Sequence, residues 1–174
     1  MFQKIAATSS APAKIQFYYN RDTVFDEVSL MSNYMAKNLA TKDGNSLTDE
    51  YAISEDERDL VNISTRAALP DIYEAMTKIT TLVADAFDDD VTVSGNSCVS
   101  FTILDNAAYN DNVLSIVDAS LNNCVKFGTL KEIYSTLPQP EFFNSCSNRF
   151  VGELFKLKQR LFQLKKKSVV SNLS

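Results

Sequence analysis

Glycine and proline occur only four times each in these 174 residues. Tight turns are therefore scarce, and the chain must be built from long elements rather than from the many short strands of a β sandwich. Hydrophobic residues make up 45% of the chain, enough to build one core. The length fits one ordinary domain, with or without arms. No apolar run approaches the roughly 18–20 residues of a membrane span. The first residues, MFQKIAATSSAPAK, lack the apolar centre of a secretory leader, so none is expected.

Charge is distributed unevenly. Residues 156–167, KLKQRLFQLKKK, hold Lys156, Lys158, Arg160, Lys165, Lys166 and Lys167 and no acid. Residues 1–155 hold the other 11 basic residues and all 22 acidic ones, a formal −11. A basic helix end on an acidic body admits three readings. It can complement the helix dipole, meet an acidic protein surface, or track a phosphate backbone. The acidic body confines any nucleic-acid contact to the tail.

Histidine is absent, which excludes Ser-His-Asp and Cys-His nucleophiles and His-ligated zinc. Cys98, Cys124 and Cys146 are odd in number and widely spaced. They predict buried small hydrophobes rather than a disulfide framework or a zinc site. Neither of the common glycine-rich phosphate motifs occurs. Asp85, Asp88, Asp89 and Asp90 could attract a cation but do not follow a calcium-loop pattern, and Asp105, Asp111 and Asp118 fit no better. With 22 acids, pairs of carboxylates carry no specific signal for glycoside chemistry. Phe17, Tyr18 and Tyr19 could stack on bases, but with few cations nearby packing is the expectation. No enzymatic activity, metal or cofactor is predicted.

Along the chain, residues 1–21 read as an N-terminal arm, with Lys14–Tyr19 a short strand or a segment that pairs on binding. A helix over 22–41 is predicted from Val24, Val28, Met31, Met35 and Leu39, with Asp22 or Thr23 as its cap and Gly44 as its stop. A polar loop follows. Ser54 and Glu57 form a capping box. Leu60, Ile63, Ala67, Ile72, Met76, Ile79 and Val83 then predict helix to about Phe87, kinked or divided near Leu69 by Pro70 and ended by Asp88–Asp90. Residues 91–104 predict a β-hairpin, with Val99, Phe101 and Ile103 on one face. A long helix lined by Val113, Ile116, Val117, Leu121, Cys124 and Val125 runs to Pro138, with a bend at Gly128. Pro140 opens the last helix, with Phe143, Phe150, Leu157 and Leu164 seven apart and Ser147, Leu154 and Leu161 in a second row. Three heptads are short for an independent coiled coil, so this helix should pack on the one before it. Residues 168–174 read as a fraying tail. The fold expected is mainly α, a single domain over 22–167. It is a bundle of three to five helices with one short β-hairpin and extended terminal arms.

This order of elements resembles a known family. A capped helix at SEDERDLV, a hairpin at VTVSGNSCVSFTIL, a long helix ending in LKEIYSTL and a final helix FVGELFKLKQRLFQLKKK are similar to the small head–tail connector proteins of tailed bacteriophages. These form the neck ring or complete the tail. The likeness is greatest to connectors of crAss-like phages of Bacteroidetes. It covers roughly residues 54–167 and rests on order and spacing, because the family has no diagnostic motif. The resemblance implies a structural virion protein in a homo-oligomeric ring, between portal and other neck or tail proteins, assembled in the host cytoplasm. DNA would pass through without sequence-specific binding, helped by an acidic lumen. It implies no catalytic residue, no cofactor and no membrane. The alternative is a non-catalytic helical adaptor or regulator with a single protein partner.

Overall fold

The computed structural model describes residues 1–37, 51–80, 82–105, 109, 111–137 and 140–171, with 82–87, 89 and 165–171 by backbone alone. The elements run β1 (Phe2–Ile5), β2 (Lys14–Asn20), α1 (Arg21–Lys37), a 3₁₀ turn (Glu55–Glu57), α2 (Arg58–Thr77), β3 (Leu82–Val93), β4 (Asn96–Leu104), α3 (Asp111–Ser135) and α4 (Pro140–Ser171). The chain is mainly α, as expected. Its β component, however, is a four-stranded antiparallel sheet in the order β1-β2-β4-β3, larger than one hairpin.

Residues 1–21 therefore do not form a free arm. β2 alternates half-buried and buried positions over its whole length, the period that a one-sided sheet requires. Register places Phe17 opposite Phe101, Ile15 opposite Ile103 and Tyr19 opposite Val99, so these six buried side chains share one face. β1 pairs along the other edge of β2, with Phe2 opposite Phe17. Lys4 fixes that edge to α3: its ammonium donates to the Tyr109 carbonyl at 2.6 Å and lies 2.8 Å from Asp111.

The hairpin turns at Ser94 and Gly95, with φ of 53° and 83°. Two successive positive φ values suit the twist of a two-residue hairpin. β3 begins at Leu82, so α2 stops ten residues short of the expected Phe87. Asp88, Asp89 and Asp90 lie within a strand and end no helix. Pro70 sits in α2 as one continuous helix, on its exposed side.

The cap of α1 is also displaced. Asn20 Oδ1 accepts from the Asp22 amide at 2.7 Å, in place of Asp22 or Thr23. The part of the expected helix beyond Lys37, the Gly44 stop and most of the polar loop lie outside the described residues. The Ser54 box forms as predicted, the Ser54 amide donating to Glu57 Oε2 at 2.8 Å. The preceding segment is pinned to α1: Ser29 Oγ donates to the Ile53 carbonyl at 2.7 Å, and the Ile53 amide donates to Ser32 Oγ at 2.9 Å.

α3 and α4 form the long helical pair. Tyr134 and Phe142 meet at one end, with ring centroids 4.9 Å apart. Asn123 reaches Glu153 in the middle, and Arg160 reaches the Ile116 carbonyl toward the other end. This regular offset makes the pair antiparallel and places Asp111, the first residue of α3, opposite about position 165. The rest of α4, to Ser171, runs past the start of α3, so most of the expected C-terminal tail begins as helix. Gly128 lies where α2, α3 and α4 converge. A Cβ there would stand 2.9 Å from Ala68 Cβ and 3.0 Å from Phe150 Cε2, so glycine permits the close approach of three helices rather than a bend.

Candidate interaction surfaces

Lys156, Lys158 and Arg160, the basic residues of the C-terminal end whose side chains are described, do not form one patch. Arg160 is structural: it donates to the Ile116 carbonyl at 3.0 Å and to Ser120 Oγ, whose residue is fully buried. Lys156 is exposed and paired with Glu153 of its own helix at 2.7 Å. Lys158 is half-buried and lies on the side facing α2, close enough to draw down the Glu74 carboxyl slightly. The larger pull on that carboxyl is its bond to Lys78. Lys165, Lys166 and Lys167 occupy the last turns of α4. At 100° per residue these positions fan around the helix.

The outward line of α4 is apolar instead. Phe142, Cys146, Phe150, Leu157, Leu161 and Leu164 are buried. Val151, Phe155 and Phe162, at spacings of four and seven, are each 61% exposed. That spacing keeps the three within about 40° of each other around the helix. A Cβ built on Gly152 beside them meets nothing within 4 Å. Sequence reasoning missed this line because the two rows at seven-residue spacing drew attention to the inner face. The spacing of Val151, Phe155 and Phe162 was nonetheless readable.

α2 shows a related pattern. The expected inward face began with Leu60, Ile63 and Ala67, but all three are exposed, Ile63 at 64%. The buried stripe is Val61, Ser64, Thr65, Ala68, Leu69, Ile72, Ala75 and Met76. It is inward because small and hydroxylated side chains let α2 approach α3, with Thr65 Oγ1 and Thr129 Oγ1 in a buried hydrogen bond at 3.0 Å. One hydroxyl donates across to the other, which donates to a carbonyl of its own helix, Val61 or Val125, so both oxygens are partnered.

A third surface is a groove of about 450 Å³ between α1, α3 and α4, lined by Glu27, Leu30, Met31, Tyr34, Lys126 and Arg149. Lys126 pairs with Glu27 at 3.4 Å, and Lys126 and Arg149 both lie over the Phe127 ring.

Chemically reactive groups are buried rather than presented. Cys98, Cys124 and Cys146 are free and buried. Burial pushes the Cys124 and Cys146 thiols up to about 12, away from nucleophilic thiolates. Tyr19 does not offer a stacking face: its hydroxyl donates to Asp118 Oδ1 at 2.9 Å, and burial first, then Asp118, raises its pKa well above the usual phenol value. Among the described residues no group of three or more Asp, Glu, Cys or His could hold a metal ion, and no helix is long and apolar enough to cross a membrane.

Protein-family models, curated proteins and solved structures yield no match to this chain.

Proposed function

We propose that this protein is a structural assembly subunit that forms a homo-oligomeric ring, and that the ring is a head–tail connector in the neck of a tailed phage, joining portal to tail around the DNA channel. The observation that carries the assembly reading is the outward line of Val151, Phe155 and Phe162 on the longest helix. Three large apolar side chains exposed in one row on a rigid element suit protein contact better than solvent. The acidic body of formal −11 and the basic end suit contact between unlike surfaces of neighbouring copies.

The phage assignment rests on the order of elements: a capped helix, a hairpin, a long helix and a final helix after a short break. Residues 1–37 add two strands and a helix to that core. The excess of acid would let DNA slide through a ring without sticking. Co-expression with a portal protein, followed by affinity purification and electron microscopy, tests this function. Rings capping the portal are expected; a chain that never co-purifies with portal contradicts it.

The groove at Leu30, Met31 and Tyr34 favours a second reading, an adaptor that receives one apolar segment of a single partner protein. Leu30→Glu would then abolish partner capture while leaving self-association unchanged.

A further inference from the structure

We infer, resting on the assembly reading above, that the outward face of α2 is the docking surface for the outward face of α4 in a second copy of this chain. Both faces have an apolar centre exposed among the described residues. On α2 the centre is Leu60, Ile63 and Ala67. On α4 it is Val151, Phe155 and Phe162.

The shorter line fits within the longer. At 1.5 Å per residue, Leu60 to Ala67 spans about 10 Å and Val151 to Phe162 about 16 Å.

Their charges differ in sign. The exposed side of α2 and its entry turn carries Asp56, Asp59, Asp71 and Glu74. Asp71 is paired with Lys131 and Glu74 with Lys78, and Arg66 is a further exposed cation there, so the acid offered to a partner is that of Asp56 and Asp59. Lys158 borders the α4 line, Lys156 is exposed on the same helix, and every charge from residue 156 to 167 is positive. Pairing α2 with a second α2 would bring carboxylates together, and pairing α4 with a second α4 would bring ammonium groups together. Like charges brought together across an interface are costly, whereas complementary ones fix partner and register. The α2–α4 pairing is the one that covers both apolar lines with opposite charge alongside.

Such a contact uses two different surfaces. Copies joined head to tail close into a ring if the rotation permits. Copies that exchange both contacts reciprocally stop at a pair.

The test uses the full chain with Ile63→Cys or Phe155→Cys, both at exposed positions, and a short bis-maleimide linker. The native cysteines are at most 1% exposed, and the unsubstituted chain is the control. A mixture of the two variants should give a cross-linked pair that neither variant gives alone. No pair above control in the mixture, or equal coupling by Phe155→Cys alone, would overturn the docking assignment. A chain carrying both substitutions separates this inference from the ring. A ladder of cross-linked species supports both; a product that stops at the pair supports the docking faces and removes the ring. As a second measurement, Asp59→Lys and Lys158→Glu should each reduce association, and the two in one chain should restore much of it. Association unchanged in both single variants would contradict the charge argument.

Discussion

Gly128 faces Ala68 across the α2–α3 crossing at a distance that leaves no room for a methyl group: a Cβ on Gly128 would stand 2.9 Å from Ala68 Cβ. Two effects oppose each other in Gly128→Ala. Alanine favours the helix by about 1 kcal/mol. Overpacking a rigid crossing costs about 1–3 kcal/mol, and Phe150 Cε2 at 3.0 Å closes the other side. Crowding should win, so Gly128→Ala is expected to lower the melting temperature by several degrees. Adding Ala68→Gly should cost less than the two single changes summed, a departure from additivity measurable by calorimetry.

Arg160 and Lys156 look alike in sequence but should behave differently. Arg160 serves the Ile116 carbonyl and the buried Ser120 hydroxyl, so Arg160→Ala should cost about 1–3 kcal/mol. Lys156 belongs to an exposed pair, and Lys156→Ala should stay within about 0.5 kcal/mol. Urea denaturation of the two variants measures the difference.

Stability should fall at alkaline pH. Burial raises the Cys124 and Cys146 thiols from 9.0 to about 12 in the fold, so the folded chain holds protons that the unfolded chain releases. Their contribution is complete below the unfolded value and is lost as pH rises toward the folded one. Between about pH 9 and 12 the loss is about 1.4 kcal/mol per unit for each thiol. The raised phenols of Tyr19 and Tyr134 extend it above about pH 10. Urea midpoints should therefore be level from pH 7 to 8 and decline steadily above 9. Cys124→Ala with Cys146→Ala should flatten the first part of that decline, though the chain starts less stable.

Gly95 should tolerate no side chain. Its φ of 83° is strained for any L residue, so Gly95→Val should destabilise by about 1–2 kcal/mol. Ser94, at φ of 53°, should accept asparagine with a small gain. Thermal melts of the two variants, with opposite signs, check the turn.

These residues also show how far the sequence could be read. The Ser54 box, the hairpin at Ser94–Gly95 and the start of α4 at Pro140 were legible because each depends on neighbours a few residues apart. The sheet was not, because pairing Lys14 with Leu104 leaves no local trace beyond the alternation of β2. α2 was extended too far because Ile79, Val83 and Phe87 continue a helical spacing by chance. Its inward face was misjudged because Ser64, Thr65 and Ala68 are chosen for close approach rather than hydrophobicity. The basic end was visible as charge, but only the packing of Arg160 against Ser120 divides it into a structural part and an exposed one. The outward apolar line of α4 carried the functional reading and was hidden behind the two inner rows.

The proposed ring requires self-association through exposed helical faces. Native mass spectrometry of the purified full chain over a range of concentrations tests it most directly. A single closed species of three or more copies, depleted by Phe155→Glu, is the predicted result. A monomer at every concentration and salt would contradict it.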